Sequence, residues 1–281
     1  MVITTPHIRW RRLEGTDSSA HRNLAVEEAL YRAISTGVQT KPTVRLWTNP
    51  KAVVLGRFQE ASVEADIRQC EVNGVQIARR FTGGGTVFHD GGTLNLTLIS
   101  PHSSSADLKF QDRNLQLVKE TLEALGLRCS TSRNAILVDG RKVCGAAAAV
   151  GSRFALWHCS ILVDADTRLL ELVLAPSKSP TNSRFVHSRW QEVTTLAKAL
   201  SRQTTVGEVA ATLEETIRIR MEVELEAEPL SIEEEQYSET LYFRKYSLRE
   251  WNLEGNRKVP EESELIEGLT RQLPYASARP P

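Results

Sequence analysis

The stretch that most constrains this 281-residue chain is a run of three glycines preceded by two arginines. It reads Arg79-Arg80-Phe81-Thr82-Gly83-Gly84-Gly85-Thr86-Val87-Phe88-His89-Asp90. Because glycine has no side chain, backbone N–H groups can approach an anion closely here, and a guanidinium can neutralise the charge. The stretch therefore indicates a phosphate-binding loop, the alternative being a glycine-rich hairpin turn with a basic edge.

The residues that flank the glycines are typical of short strands. Residues 75–78 precede the loop and residues 86–88 follow it, which would hold the loop at the mouth of a sheet. No Gly-Lys-Ser/Thr closes the loop, and its glycines are not spaced as in a dinucleotide fingerprint. Both of those common nucleotide-binding motifs are therefore excluded.

A net charge of zero limits the partners of the chain. Lys plus Arg and Asp plus Glu each total 35, so no overall field attracts the chain to nucleic acid or to an anionic membrane. We expect neither partner. The cysteines form no C-x-x-C pair and follow no secretory signal, and no apolar run approaches the length of a membrane helix. These features predict reduced thiols and a cytoplasmic location.

Hydrophobic spacing predicts an α+β fold with mixed, mostly antiparallel sheets flanked by helices. Residues 43–47 and 52–55 are typical of strands, and Asn49-Pro50 between them predicts a hairpin. Every second residue of 94–98 is leucine, which marks one buried face of a strand. Helices are predicted, with Ser18-Ser19 capping the first, over residues 23–34, 63–71, 108–125, 169–174, 193–200, 206–220 and 233–246.

A second informative stretch surrounds Asp139-Gly140. This pair lies between two apolar runs and predicts a two-residue hairpin turn, which would hold Lys142 just inside the returning strand. The alternative is a lysine that only protects a strand edge. Small residues at 145–149 leave space beside this strand. His158 lies in a further strand-like run, where a lone histidine is more often a core side chain than a catalyst.

Several ordered pieces of the chain together resemble the lipoate–protein ligase A family, within the biotin/lipoate protein ligase superfamily. The similarity spans roughly residues 10–252, and it is closest to the forms that lack a fused C-terminal accessory domain. The pieces are residues 23–30, Gly56-Arg57-Phe58-Gln59, residues 79–90, Arg133-Asn134, Gly140-Arg141-Lys142, Trp157-His158, Val186-His187-Ser188-Arg189 and residues 245–252. So many pieces in the family's order favour a phosphate loop and a functional Lys142 over the alternatives.

The resemblance implies a biotin/lipoate ligase-like catalytic domain that performs a two-step acyl transfer, with ATP as substrate and Mg²⁺ assisting. The carboxylate of lipoic acid attacks the α-phosphorus of ATP, which gives lipoyl-AMP and pyrophosphate. A lysine of a carrier, either a lipoyl domain or an H-protein-like protein, then displaces AMP.

The resemblance also implies roles for individual residues. Lys142 would be catalytic, because its charge can hold the lipoate carboxylate and the α-phosphate together. The residues implied to bind ATP or the adenylate, together with Lys142, are Arg80, Gly85, Thr86, Val87 and Phe88. Those implied to bind lipoate, again with Lys142, are Thr82, Gly83, Gly84, Ala146 and His158.

Two regions depart from the family pattern. Ala135 stands where many such ligases have aspartate, which leaves the metal ligands unknown. Residues 253–281 form a charged tail that we expect to be flexible, so the catalytic domain would comprise residues 8–252. The resemblance therefore implies either a separate small accessory protein or an enzyme that works without one.

Two other functions stay open at this point. A cysteine-dependent octanoyl or lipoyl transferase on the same fold needs a thiolate, and Cys129 lies near the region where some relatives place one. The Arg133-Asn134 pair after it is instead typical of ligases. A non-catalytic homologue could bind lipoyl carriers only, but Arg80 and Lys142 together argue against it. Octanoate and lipoate share a carboxylate, so both remain as substrates.

Overall fold

The computed structural model describes residues 8–13, 15–101, 110–174 and 185–255, which form two sheets with helices packed around them. Two π-helical segments, Tyr242–Tyr246 and Glu250–Glu254, follow the last helix. The strands and helices in chain order are β1 (Ile8–Leu13), α1 (Ala20–Thr36), β2 (Thr43–Trp47), β3 (Ala52–Leu55), α2 (Ala61–Glu64), α3 (Ile67–Val72), β4 (Gln76–Arg79), β5 (Val87–His89), β6 (Thr93–Pro101), α4 (Phe110–Ala124), β7 (Cys129–Ser132), β8 (Ala135–Val138), β9 (Arg141–Val150), β10 (Phe154–Leu162), α5 (Thr167–Val173), α6 (Leu196–Leu200), α7 (Val206–Met221), β11 (Val223–Ala227) and α8 (Ile232–Leu241).

The larger sheet has eight strands in the order β11-β1-β2-β6-β10-β9-β8-β7. Only β1 pairs in parallel, with both of its neighbours, and the other pairs of this sheet are antiparallel. The smaller sheet has the order β4-β3-β5, with β4 parallel and β5 antiparallel to β3. The predicted mixed, mostly antiparallel α+β fold is confirmed.

The two faces of the larger sheet differ in polarity, as strand β6 illustrates. Leu94, Leu96 and Leu98 pack in the main core with residues of helices α4 and α7, such as Val118 and Leu213. Because successive side chains of a strand point to opposite faces, the polar residues between these leucines lie on the other face of the sheet. That polar face is the one that the glycine loop and α1 approach.

The predicted hairpin between residues 43–47 and 52–55 is wrong. Strand β2 lies between β1 and β6 in the larger sheet, whereas β3 lies between β4 and β5 in the smaller one. Asn49 is buried, and its amide bonds to Asn23 and His89 instead of closing a turn. The segment between the strands therefore crosses from one sheet to the other.

The strands predicted on either side of the glycine loop are present as β4 and β5. They pair with opposite edges of β3 and not with each other. The loop is consequently a crossover above the end of β3, and the alternative of a glycine-rich hairpin turn is excluded.

Most predicted helices are present with shifted ends. Ser19 caps α1, as expected. The helix predicted over 63–71 is instead two short helices, because Ala65 is extended and Asp66 caps the second one. In the predicted helix over 193–200, Val193 pairs with Lys142 and the helix begins only at Leu196. The start of the helix predicted over 108–125 lies outside the described residues.

Three further observations concern the chain's ends and strands. Strand β11, which the sequence did not predict, pairs in parallel with β1. Residues 256–281 of the predicted tail lie outside the described residues, so the domain boundary stays a prediction. Across the described part of the chain, no helix is both long and apolar enough to span a bilayer.

Candidate active site

A cavity of about 660 Å³ lies between the glycine loop and the polar face of the larger sheet. Residues 186–191, here called the covering segment, close its side. Two rows of residues that pair across β6, β10 and β9 underlie it, namely Asn95, Ser160 and Gly145 in one row and Thr97, His158 and Ala147 in the other.

Arg79, the first arginine of the loop motif, is buried and holds backbone carbonyls. Its guanidinium donates to the carbonyls of Gly56 at 2.9 Å, Gln59 at 2.6 Å and Trp251 at 2.8 Å. The backbone N–H of Arg79 also donates to Oδ1 of Asn252 at 3.0 Å. Arg79 thus anchors the loop to the C-terminal π-helical segment. In these bonds its guanidinium donates to the protein backbone and not to a ligand.

Arg80, the second arginine, shapes the loop from inside the cavity. Its Nη2 donates to the carbonyls of Gly83 and Gly85, each at 2.7 Å. Burial lowers the pKa of Arg80 to about 10, which leaves it charged at neutral pH. Gly84 between these carbonyls has a φ of 90°, and an added Cβ would lie 3.0 Å from Nη2 of Arg80. A side chain at Gly84 would therefore be strained and crowded.

A polar network joins the loop to the covering segment. Oγ of Ser188 accepts from the backbone N–H of Thr86 and from Nε2 of Gln59, both at 2.9 Å. Glu64 accepts from the backbone N–H of Ser188 at 2.9 Å and from Oγ1 of Thr86 at 3.2 Å. Residues from three separate parts of the chain thus fix the start of β5.

The predicted hairpin that carries Lys142 is confirmed. Asp139 and Gly140 have φ values of 49° and 77°, as a two-residue turn with left-handed central residues requires. The pairing register then shifts by one residue at Val143, which is a β-bulge of the kind that redirects neighbouring side chains. Lys142 also pairs in parallel with Val193, which lies outside the named strands. Its backbone is therefore held by β8 on one side and by the segment that contains Val193 on the other.

Besides Arg80, three cations line the cavity, namely the exposed Arg133 and Arg189 and the half-buried Lys142. Among the residues that the structure describes, none makes a hydrogen bond or ion pair with Nζ of Lys142. An added Cβ on Gly145 would lie 2.8 Å from both Cε and Nζ of Lys142, so the glycine makes room for the lysine. Burial lowers the pKa of Lys142. A half-buried, unpaired ammonium can pair with an anionic group of a ligand.

His158 connects the loop to helix α1. Its Nε2 lies 2.9 Å from Oγ1 of Thr82, and its Nδ1 donates to Oε1 of Glu27 at 2.8 Å. Glu27 also accepts from Oγ1 of Thr97 at 2.6 Å. Although burial opposes it, the contacts with His158, Thr97 and Arg45 lower the pKa of the Glu27 carboxyl. His158 is therefore neither an isolated core histidine nor exposed.

A smaller apolar chamber of about 100 Å³ adjoins the cavity. Lys142 and Gly145 line both spaces, so the lysine lies where they meet. The apolar side chains that line the chamber include Val87, Phe88, Leu162, Leu170, Leu174 and Val193.

The structure brings most of the sequence-predicted site residues together. Those that line the larger cavity are Arg80, Gly84, Gly85, Thr86, Val87, Lys142, Ala146 and His158. Phe88 is buried and lines the apolar chamber. Thr82 is buried behind His158, and an added Cβ on Gly83 would lie 3.8 Å from the ring of Phe58. The roles of these residues toward ATP and lipoate stay predictions.

Sequence reasoning assigned no role to several residues that the structure places at the site. The walls of the cavity or the chamber include Glu27, Glu64 and Ser188. All three belong to the hydrogen-bond networks described above. The resemblance included residues 23–30 and 186–189, and this was the only signal for Glu27 and Ser188. Glu64 carried no signal because it lies in an ordinary amphipathic pattern.

Three of the four cysteines are buried, although Cys144 also lines the apolar chamber and Cys159 the larger cavity. All four are free thiols. Burial raises the pKa of Cys129 to about 11 and that of Cys159 well above its usual value. Cys129 packs against the main core at the start of β7. A nucleophilic cysteine requires the opposite shift, toward the thiolate.

Within residues 8–13, 15–101, 110–174 and 185–255, no three His, Cys, Asp or Glu side chains are grouped so that they could hold an ion. Ala135 pairs with Gly145 at the cavity edge and supplies no carboxylate there.

Comparison with protein families matches residues 19–218 to the lipoyl protein ligase A/B catalytic domain. Lipoate-protein ligase A subunit 1 of Thermoplasma acidophilum is 28% identical over 255 residues, which are 86% of this chain and 95% of the relative. Octanoyltransferase LipM of Brevibacillus brevis is 29% identical over 273 residues, or 87% and 99% of the two chains. The relatives therefore include both ligases and transferases.

Three solved structures share the fold. A bi-partite lipoate protein ligase from Thermoplasma acidophilum, studied with its E2 lipoyl domain, has a TM-score of 0.79 at 27% identity, covering 90% of this chain and 99% of that one. A putative lipoate protein ligase from the same organism with bound lipoic acid has a TM-score of 0.76 at 26% identity, covering 87% and 99%. A lipoate-protein ligase A bound with ATP has a TM-score of 0.77 at 27% identity, covering 87% and 98%.

Proposed function

We propose that this chain, which belongs to the lipoyl protein ligase A/B catalytic-domain family, is an ATP-dependent lipoate–protein ligase. The observation that carries the proposal is the unpaired amine of Lys142 at the junction of the two spaces. A cation there can contact an acid carboxylate in one space and a phosphate in the other. Activation of a carboxylate by ATP needs these two anions to be brought together.

The two spaces suit the two substrates. The larger cavity, with Gly84, Ala146 and His158 in its wall, would take the lipoyl chain. The apolar chamber beyond Val87 and Phe88 would take the adenine ring. The similar structures with bound lipoic acid and with bound ATP support this substrate pair.

The proposed first step forms lipoyl-AMP. A carboxylate oxygen of lipoate forms a bond to the α-phosphorus of ATP, the bond from that phosphorus to the bridging oxygen breaks, and pyrophosphate leaves with the electron pair. Lys142 would lower the repulsion between the two anions and stabilise the charge that develops on the phosphoryl oxygens. Arg80 would keep the loop carbonyls turned inward, and so keep the loop in one conformation.

The proposed second step modifies the carrier. The amine of a carrier lysine forms a bond to the acyl carbon, the bond from that carbon to the AMP oxygen breaks, AMP leaves, and the amine proton passes to solvent. Lys142 would then stabilise the departing phosphate. A lipoyl domain is the carrier class that we propose, because the bi-partite relative acts with one.

This function is tested by pyrophosphate release. Purified protein with ATP and lipoate, without any carrier, should release pyrophosphate only when lipoate is present. Release that does not depend on lipoate would contradict adenylate formation, as would its complete absence, even after a lysate of the host is added, while lipoate and ATP both bind.

A cysteine-dependent octanoyl or lipoyl transferase is the second candidate, because the relatives include an octanoyltransferase. The raised pKa values of Cys129 and Cys159 support the ligase instead. Serine at Cys129, Cys144 or Cys159 should therefore leave ATP-dependent transfer largely intact, apart from modest losses of stability at these buried sites. The check is transfer to a carrier with ATP and lipoate, and separately with octanoyl-carrier protein and no ATP. ATP-independent transfer that disappears in Cys129→Ser would replace the ligase assignment.

A separate accessory protein and a cytoplasmic location also remain proposals. The description of a relative as bi-partite supports the first, and four free cysteines support a reducing compartment. Adding a lysate of the host to the purified chain measures the need for a partner. An unchanged rate of carrier modification at equal enzyme concentration would exclude it.

A further inference from the structure

The amide nitrogen of Asn95 is a buried hydrogen-bond donor without a partner in the described structure. Asn95 is 2% exposed and lines the larger cavity. An unpaired buried donor destabilises the folded state, so folded proteins rarely leave one unless a ligand or water uses it.

A directional chain of hydrogen bonds fixes which way this amide points. Arg45 donates to Asn23 at 3.0 Å, and Asn23 donates to Asn49 at 2.8 Å. Asn49 then donates to Nδ1 of His89 at 2.9 Å. Asn23 and Asn49 thus each accept a hydrogen bond with the side-chain oxygen and donate one with the side-chain nitrogen.

The same series of hydrogen bonds continues to Asn95 and ends there. Nε2 of His89 donates to Oγ of Ser160 at 2.7 Å, and Oγ of Ser160 donates to Oδ1 of Asn95 at 2.7 Å. Burial and the charge of Arg80 lower the pKa of His89 to about 3, which agrees with a neutral ring that accepts at one nitrogen and donates at the other. Because Oδ1 of Asn95 accepts from Ser160, Nδ2 of Asn95 is the unpaired end of this series of hydrogen bonds.

Asn95 and Lys142 lie at opposite ends of one row of the cavity floor. Asn95 pairs with Ser160, Ser160 pairs with Gly145, and the amine of Lys142 lies against Gly145. Two strand spacings separate Gly145 from Asn95, or roughly 10 Å. A medium-length acyl chain whose carboxylate meets Lys142 would therefore bring its far end to Asn95.

A second unpaired polar atom, Oε2 of Glu27, lines the same part of the cavity. Glu27 bonds to Thr97, which lies two residues from Asn95 on the same face of β6. This end of the cavity is therefore polar, although the substrate chain that reaches it is apolar along its length. A terminal methyl group would leave the Asn95 amide without a partner, whereas the Glu27 oxygen, an acceptor, is not satisfied by either acid.

We propose that Asn95 is a specificity residue whose amide donates to a sulfur of the substrate's tail and so selects lipoate over octanoate. This inference rests on the proposed function, because it assumes that an acyl carboxylate binds at Lys142. Sulfur is a weak acceptor, whereas the methyl end of octanoate accepts nothing. The selection comes from the donor that octanoate leaves unpaired.

The test compares two variants that differ only at Asn95. Ser160→Ala is the background, since it removes the bond to Oδ1 and keeps Nδ2. The double variant Ser160→Ala/Asn95→Leu then removes the donor without leaving a new unpaired serine. Calorimetry without ATP gives the dissociation constants of lipoate and octanoate for each protein.

We expect the wild-type chain to bind lipoate at least about fivefold more tightly than octanoate, and Ser160→Ala to keep a smaller preference, because its Asn95 amide is no longer held in one orientation. The double variant should lose this preference, with octanoate binding at least as tightly as before. An unchanged ratio in the double variant, or no preference in the wild-type chain, overturns the inference. If leucine prevents folding, as circular dichroism would reveal, Ser160→Ala/Asn95→Ala gives the same comparison.

Failure of the inference and failure of the proposed function give different results. Pyrophosphate release with both acids and an unchanged ratio in the double variant would overturn the role of Asn95 only. A preference that depends on Asn95, without any pyrophosphate release, would overturn the ligase and support the inference.

Discussion

Alanine in place of Lys142 should lower lipoate-dependent pyrophosphate release by about a thousandfold, while the protein stays folded. The reason is that this amine lies unpaired and half-buried where the two spaces meet, so that without it the two anions would repel each other more strongly. The stability should change little, because Nζ makes no hydrogen bond or ion pair within the described ranges. Thermal unfolding and the rate of pyrophosphate release, measured on the same preparation, check both halves.

Two further variants sharpen this prediction. Lys142→Arg should recover little activity, since the lysine is packed 2.8 Å from the Cβ position of Gly145 and a planar guanidinium is wider than an ammonium. Arg141→Ala removes a charge from the neighbouring position of the same strand and should keep at least about a third of the activity. Near-normal release by Lys142→Ala would remove this lysine from the mechanism.

Methionine in place of Arg79 should lower the free energy of unfolding by about 3–5 kcal/mol. The carbonyls of Gly56, Gln59 and Trp251 would lose their donor inside the protein, where water does not replace it. The loss should appear as a lower midpoint in urea and as lost activity, because the loop and the C-terminal segment separate. Activity should return in part when an osmolyte stabilises the fold.

The matched control for this prediction is Arg68→Met. Arg68 is an exposed arginine on α3, and its removal should change the free energy of unfolding by less than about 0.5 kcal/mol. Equal stability of the two variants would show that Arg79 does not anchor the loop.

The arginine pair illustrates what sequence alone could predict about the site. The composition of the stretch predicted a phosphate-binding loop, and in the structure the loop borders the cavity, while its role stays a prediction. Nothing local separates Arg79 from Arg80, since both adjoin the glycines. Their difference comes from distant residues. Arg79 forms hydrogen bonds with Trp251 and Asn252, which follow the last strand in the sequence.

Local turns were predictable and long-range connections were not. Asp139-Gly140 determines its own backbone conformation, so the Lys142 hairpin followed from two residues. Asn49-Pro50 is an equally good turn signal, yet Asn49 is drawn into a buried network with His89, a residue forty positions later. Strand β11 was missed because its parallel pairing with β1 joins opposite ends of the chain.

The relay that ends at Asn95 could not be found in the sequence either. Its members come from α1, β2, the segment between β2 and β3, β5, β6 and β10, and they share no spacing. The alternation of leucines in β6 predicted the strand and its buried face. It gave no indication that the polar residues between them line a binding cavity.

The mass of an intact lipoyl domain tests the central claim most directly. The purified chain is incubated with the domain and lipoate, with and without ATP, and separately with octanoyl-carrier protein in place of lipoate and ATP. The proposed ligase should increase the mass of the domain by one lipoyl group only when ATP and lipoate are both present. Modification from octanoyl-carrier protein without ATP, and none with ATP and lipoate, would contradict it.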